Sequence, residues 1–237
     1  MSFLSDEIIY ITYDEFYLLL AAAGRKEIYS IDSFSGTPVP ETKEEIYPII
    51  TELYKKGLFE WEDGKVSASE AFRPVFIALR DAAWCMISAV TDDAESFTAA
   101  YFSGDTVMNI RRSQRDTDTL AISFETSGEM IERFGEDGIF PDPIQTPARG
   151  GGLKPQERYM AIDESRKLAD LLKDDQVRYA AELRSANDGL LKERMIVYDK
   201  GLYSVIYRQE SSNCRYYLCE KEIWEKMIRS WMMGGEK

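Results

Sequence analysis

The sequence predicts an α+β fold, a pseudo-twofold repeat of antiparallel four-strand meanders with helices packed on one side. Two observations support this prediction. The spacing of the apolar residues changes at Trp84 from a helical period of about 3.6 to a strand period of about 2. A helix, four strands and another helix are then predicted twice along the chain, in the same order in both halves.

The first third of the chain is predicted to contain three helices, each beginning at a capping box. In this pattern a hydroxyl accepts a hydrogen bond from a backbone amide, and a glutamate three residues later bonds back to the cap. The three patterns are Thr12 to Glu15, Thr42 to Glu45 and Ser67 to Glu70. The first two helices are expected to end at glycines and the third at about Ala82.

Two features interrupt these helices. Pro48 lies in the second helix and is predicted to kink it or to delay its start, because proline lacks a backbone donor. Asp63 and Gly64 separate two short runs of strand-forming residues after this helix, which predicts a hairpin.

The first meander is predicted from four short runs of strand-forming residues separated by polar turns. These runs are 84–90, 96–102, 106–111 and 119–124. A helix follows them, with Ser127 as its predicted cap. The N-terminal half is therefore assigned to residues 1–137.

Residues 138–155 contain four of the eight prolines and a triple glycine, which predicts a loop or linker. The C-terminal half, 156–237, repeats the order of elements. A helix over 156–173 is followed by strands at 176–186, 190–199, 202–208 and 215–218 and by a final helix at 220–233. We expect the two halves to form one compact domain.

Composition excludes several classes of function. The 237 residues carry 42 acidic and 29 basic side chains, a net charge of −13, which argues against a nucleic-acid partner that needs a basic face. The chain has no histidine, which removes nucleophile–histidine pairs and histidine-ligated zinc. We therefore expect no enzymatic activity, no cofactor and no metal.

The chain is expected to be cytoplasmic. Its first residues are acidic and precede no apolar stretch of the kind that signal peptides carry, and no segment is long enough to insert in a membrane. Cys85, Cys214 and Cys219 leave at least one thiol unpaired, which favours a reducing compartment.

Arg111, Arg112 and Arg115 form a basic cluster at the predicted turn between the third and fourth strands. Guanidinium groups suit carboxylates and phosphates, so the cluster is a candidate contact with an acidic partner. The alternative is a solvated turn whose charges are neutralised by Asp116 and Asp118.

The final helix carries Trp224, Met227 and Trp231 on one stripe. Large aromatic and methionine side chains on one face are typical of a partner-binding surface. They are equally typical of a helix that packs on its own sheet, and that alternative stays open.

The order of elements resembles a known family. An early helix contains DEFYLLLAAAG and a second segment reads ITELYKKGLFEWEDGKV. A helix reading ASEAFRPVFIALRDAAW leads into the strands, and ERFGEDGIFPDP follows in mid-chain. This layout resembles the EspG-type chaperones of type VII (ESX) secretion systems and their relatives in Gram-positive bacteria. The resemblance implies a non-enzymatic cytosolic protein with a pseudo-twofold fold that holds a helical-hairpin secretion substrate, and it leaves the oligomeric state open.

A second interpretation takes residues 44–66 as a winged-helix module with a later α+β sensing domain, which would make the chain a transcriptional regulator. The charge of this segment argues against it. Four lysines at 43, 55, 56 and 65 are outnumbered by seven acids from Glu41 to Asp63.

Overall fold

The computed structural model describes residues 8–24, 40, 42–62, 65–70, 72–90, 97–113, 116, 118–136, 177–199, 204–210, 213–218 and 221–233. Its helices are α1 (Tyr13–Ala22), α2 (Lys43–Lys55), α3 (Arg73–Asp81), α4 (Ser127–Glu136) and α5 (Lys221–Met232). The predicted loop at 138–155 and the predicted helix at 156–173 lie outside the described residues.

The strands of the N-terminal half are β1 (Ile9–Thr12), β2 (Phe59–Glu62), β3 (Lys65–Ala68), β4 (Trp84–Val90), β5 (Thr98–Ser103), β6 (Thr106–Arg112) and β7 (Thr119–Thr126). Those of the C-terminal half are β8 (Val177–Ser185), β9 (Leu191–Asp199), β10 (Ser204–Glu210) and β11 (Asn213–Leu218). The eight strands of the two predicted meanders and the β2–β3 hairpin are thereby confirmed, with shifts of one or two residues at most of their ends.

Nine strands form one antiparallel sheet in the order β1-β7-β6-β5-β4-β8-β9-β10-β11. Each meander therefore begins at the middle of the sheet and runs outward. The two first strands, β4 and β8, pair antiparallel at the centre, with Met86 opposite Leu183. This mirror-like strand order confirms the predicted α+β fold with two antiparallel meanders, and it joins the meanders into one sheet.

The helix that ends each meander packs on the same face of this sheet, as predicted. One buried cluster contains Met130 and Phe134 of α4, Trp224 and Trp231 of α5, and residues of both meanders such as Phe102. We refer to this side as the second face. Because α4 and α5 share one cluster, their burial stabilises the junction of the two meanders as a unit.

The early helices pack against the first meander from its first face. Phe16 of α1, Leu53 of α2 and Leu79 of α3 lie in a cluster with Tyr101, whereas the neighbouring Phe102 belongs to the cluster of α4 and α5. Successive side chains of a strand point to opposite faces. The first meander therefore has helices on both of its faces.

The first two capping boxes are confirmed. Glu15 N donates to Thr12 Oγ1 at 3.2 Å, and Thr12 N donates to Glu15 Oε2 at 2.7 Å. Thr42 and Glu45 make the same reciprocal pair at 3.3 and 3.0 Å. Since α2 begins directly after Thr42, the delayed start suggested by Pro48 is wrong.

The third capping box is wrong. Ser67 lies in β3, where it pairs with Glu60, and α3 begins only at Arg73. The cap residue of α3, Phe72, has no side-chain hydrogen bond, and proline occupies the first turn. Strand pairing with β2 satisfies the backbone that the capping pattern would have used, so tertiary context overrides the local signal.

A capping pair at α4 replaces the predicted Ser127 cap. Thr126 and Glu129 bond reciprocally, with Thr126 N donating to Glu129 Oε2 at 2.6 Å and Glu129 N donating to Thr126 Oγ1 at 3.2 Å. The Ser127 hydroxyl instead donates to Asp105 in the β5–β6 turn. This bond ties the start of α4 to the meander on which it packs.

None of the described helices combines the length and apolarity needed to cross a membrane.

Candidate functional site

The predicted arginine cluster is divided between the two faces of the sheet. Arg111 and Arg112 are consecutive on β6, so their side chains point in opposite directions. Arg112 is half-buried on the first face, where its Nε donates to the Tyr13 hydroxyl at 3.3 Å. Arg111 is exposed on the second face. The two described arginines therefore lie on opposite faces, and Arg115 lies outside the described residues.

Arg111 belongs to a row of residues that crosses four strands. Tyr10 on β1 pairs with Ala121 on β7, Ala121 pairs with Arg111, and Arg111 pairs with Thr98 on β5. Paired residues share a face. Tyr10 is 45% exposed, and Ala121 is buried between it and Arg111. A tyrosine and an arginine thus flank a small side chain on an uncovered part of the sheet.

The neighbouring row extends this surface. Ser123, two residues along β7, is half-buried on the same face, and Ile8 just before β1 is 38% exposed. We call Ile8, Tyr10, Thr98, Arg111 and Ser123 the sheet-face patch. It combines apolar bodies with polar ends, the composition that protein interfaces favour.

An anchored helix lies on the same face, beyond the sheet-face patch. Asn109, two residues before Arg111, donates from Nδ2 to Glu125 Oε1 at 2.6 Å. Arg133 of α4 donates to both oxygens of Glu125, at 2.7 and 3.1 Å. A bidentate contact fixes orientation as well as distance. The polar triad therefore holds α4 in a defined position on β6 and β7.

The interpretation of Trp224, Met227 and Trp231 as a partner-binding face is wrong for this chain. Trp224 and Trp231 are fully buried and Met227 is 4% exposed. The ring centroid of Trp224 lies 5.5 Å from that of Phe134 and 5.2 Å from that of Tyr179. The helix packs on its own sheet, which is the alternative that the sequence left open.

Buried charges in the second meander were not predicted. Glu193 accepts hydrogen bonds from Arg208 Nη2 at 2.8 Å and from Trp231 Nε1 at 2.5 Å. Glu182 is bonded to Arg194 and Arg184 in the same meander. Charged residues on strands at a spacing of two are usually solvated, so the sequence carries no local signal for this burial.

Asp116 and Asp118, which the sequence places near the arginines, are part of a turn. Asp116 accepts from the Asp118 amide and the Thr119 hydroxyl, both at 3.0 Å. These hydrogen bonds, the backbone one foremost, lower the pKa of Asp116. The carboxylate closes the β6–β7 turn, in agreement with the preference of aspartate for turns.

A second exposed set of apolar side chains lies away from the sheet-face patch. Tyr47 and Tyr54 on α2 are 63% and 57% exposed, and Trp61 on β2 is 58% exposed. Trp61 pairs with Val66 across the hairpin. These residues belong to the part of the fold that packs on the first face.

Comparison with known proteins gives one kind of match. No protein-family model matches the chain, and no curated protein sequence matches it. Among solved structures, the chain is similar to the Mycobacterium tuberculosis type VII secretion system chaperone EspG5, determined in complex with a PE25-PPE41 dimer. The identity is 11% and the TM-score 0.50, and the match covers 98% of this chain and 99% of that chain. The chain therefore has an EspG-like fold.

Proposed function

We propose that this protein is a non-enzymatic, cytoplasmic chaperone or adaptor that holds a helical secretion substrate of a type VII-like system. The single observation behind the proposal is the full-length likeness to EspG5, a chaperone whose structure includes a bound PE25-PPE41 dimer. The likeness extends over both meanders and the early helices. A fold by itself hosts many functions, so the surface has to supply a second argument.

That second argument is the sheet-face patch, which we propose as the substrate contact. The Tyr10 ring offers apolar area with a hydroxyl at its end, and Arg111 offers a charged group on an apolar stem. Interface cores are enriched in both residue types. Ser123 and Thr98 add hydroxyls that can bond to a partner without burying a charge. A helical hairpin laid across β1, β7 and β6 would cover this row.

The charge of the chain supports a protein partner rather than DNA. The exposed residues of α2, the helix of the winged-helix interpretation, include Glu44, Glu45 and Glu52. Because Lys43 and Lys55 do not outnumber these glutamates, the helix has no basic face of the kind that the phosphate backbone requires. The proposal therefore assigns no nucleic-acid partner.

Co-expression with a defined substrate tests the proposal. The chain is expressed with each predicted helical-hairpin protein encoded beside its gene, and complexes are purified by an affinity tag on the hairpin protein. We expect a complex of fixed stoichiometry with one of them. Tyr10→Glu should abolish co-purification, because it places a carboxylate in the proposed contact.

Trp61→Ser is the matched control, since it removes an exposed aromatic side chain from outside the sheet-face patch. It should leave the complex intact. Absence of a complex with every neighbouring hairpin protein would contradict the proposed function. A complex that tolerates Tyr10→Glu but not Trp61→Ser would preserve the function and reject the proposed contact.

A further inference from the structure

A groove of about 350 Å³ lies between α1, β3 and α3. It is separate from the sheet-face patch, because α1 and α3 pack on the first face of the sheet and the patch lies on the second. Its apolar lining consists of Ala22, Ala23, Ala68, Phe76 and Ile77. This volume is at the lower end of the range of binding pockets, which suits a few inserted side chains better than a whole ligand of drug size.

The groove is held open by packed aromatic residues. The Phe76 ring lies 5.9 Å from Phe72 and 6.1 Å from Phe59, and Phe59 and Phe72 are buried in the core. Phe76 is therefore fixed from behind while one side borders the groove. Ile77 is 40% exposed at its edge. Alanines form the opposite wall, and side chains this small allow another backbone to approach closely.

The charged residues that line the groove are both arginines. Arg73 and Arg80 are seven residues apart on α3, which places them on one side of the helix, two turns or about 10 Å apart. Arg80 donates two hydrogen bonds to Asp81, at 2.6 and 2.9 Å. The Arg73 side chain is exposed and makes no ion pair or hydrogen bond with the described residues, whereas the Arg73 backbone amide donates to Ser69 O at 2.9 Å. A cationic edge is distinctive on a chain of net charge −13.

We propose that this groove docks an acidic amphipathic helix of a second partner protein. Apolar side chains of that helix enter between Phe76, Ile77 and the alanines. A carboxylate on its flank meets Arg73, and a second one, two turns along, lies beside Arg80. The charge complementarity selects an acidic segment, because arginine forks bind carboxylates in a defined geometry. Arg73 is the stronger contact, since Asp81 already neutralises part of the charge at Arg80.

Peptide display tests the proposal with a defined probe. A library of amphipathic helical peptides of about 18 residues, or five turns, is selected on the folded full chain. Peptides that still bind the double variant Arg73→Glu/Ile77→Glu are discarded, because their binding does not depend on the groove. We expect the enriched peptides to carry an acidic residue beside an apolar stripe. Their affinity for the wild-type chain is then measured by fluorescence anisotropy.

The variants give a graded expectation. Arg73→Glu should weaken an enriched peptide about tenfold, and Arg80→Glu should weaken it by less, about threefold. Arg73→Lys should recover part of the loss by restoring charge without the fork. Arg229→Glu, at an exposed arginine on α5, is the control and should change nothing. Melting temperatures confirm that each variant is folded.

Three results would overturn the inference. The selection could return no peptide that depends on the groove, or peptides without acidic residues. The enriched peptides could lose affinity for Tyr10→Glu rather than for Arg73→Glu, which would assign them to the sheet-face patch. Sedimentation could show a dimer of the chain that Arg73→Glu separates, which would make a second copy the occupant. The peptide selection, the peptide affinities and the sedimentation do not depend on the hairpin complex. Failure to form that complex would therefore contradict the proposed function without affecting this test.

Discussion

Trp231 and Glu193, 38 residues apart in sequence, are joined by a 2.5 Å hydrogen bond from the indole Nε1 to the carboxylate. The same Glu193 oxygen accepts from Arg208 at 2.8 Å, and all three side chains are at least 90% buried. The bond connects α5 to β9, and the Arg208 bond connects the same carboxylate to β10. Glu193 is therefore the polar point at which α5 is held on the second meander.

Removal of Glu193 should be strongly destabilising. Glu193→Ala leaves the Arg208 charge buried without its carboxylate, and breaking such a pair from one side costs about 3–5 kcal/mol. We expect a loss of about 3 kcal/mol in the free energy of unfolding, measured by urea denaturation. Glu225→Ala is the control, because its pair with Arg229 is exposed and should be worth about 0.5 kcal/mol or less. Equal effects of the two substitutions would contradict the role given to Glu193.

The capping assignments make separate predictions. Thr12→Ala and Thr126→Ala each remove a hydroxyl that accepts a backbone hydrogen bond, so each should cost about 1 kcal/mol in the free energy of unfolding. Ser67→Ala should cost much less, because Ser67 is an exposed strand residue rather than a helix cap. Thermal unfolding of the three variants compares them directly. If Ser67→Ala lowered the free energy of unfolding as much as Thr12→Ala, Ser67 would have to be a helix cap after all.

Acid should weaken the start of α4. The backbone and side-chain hydrogen bonds from Thr126 lower the pKa of Glu129 below its ordinary value of 4.5. A carboxylate with a lowered folded-state pKa stabilises the fold above the unfolded pKa, and this contribution is lost as the pH falls through the folded pKa. The loss therefore begins below about pH 4.5. An NMR titration of the Glu129 carboxyl carbon measures the shift.

Thr126→Ala is the matched variant for this titration. It removes the Thr126 hydroxyl, whose hydrogen bond helps to lower the pKa of Glu129, so that pKa should rise toward its ordinary value. Asp188, whose pKa is lowered by Ser185 and the Leu190 amide, lies in a different turn and should titrate unchanged in the same sample. A Glu129 titration that is identical in the two proteins would refute the capping assignment.

The fold was largely predictable because its signals are local. Glycine and aspartate turns separate runs of strand-forming residues, and this pattern gave all eight strands of the two meanders. Strand β1 was missed, because its four residues depend on pairing with β7, more than 100 positions later. The third capping box failed for a different reason: the predicted hairpin extends as far as Ala68, so Ser67 pairs with Glu60 instead of capping a helix.

The candidate site was less predictable than the fold. Arg111 was selected from sequence, but its neighbour Tyr10 was not, because the two are joined only through Ala121 and the register of three strands. Arg112 was grouped with Arg111 although β6 points it toward Tyr13 on the other face. Burial of Trp224 and Trp231 could not be decided from periodicity, which is the same for a helix on its own sheet and for a helix face that binds a partner.

The salt dependence of substrate binding at Arg111 tests the central claim most directly. The hairpin protein obtained by co-expression is titrated into the wild-type chain, Arg111→Glu and the control Arg229→Glu. Isothermal titration calorimetry gives its affinity for each of them at low and at high salt. Arg111 is changed alone, because replacing Arg112 would also break its bond to Tyr13. We predict that Arg111→Glu weakens binding about tenfold at low salt and that the difference narrows at high salt, because screening reduces the lost attraction. Arg229→Glu should match the wild type. Equal affinity and equal salt dependence for Arg111→Glu and the wild type would contradict the claim that the sheet-face patch holds the substrate.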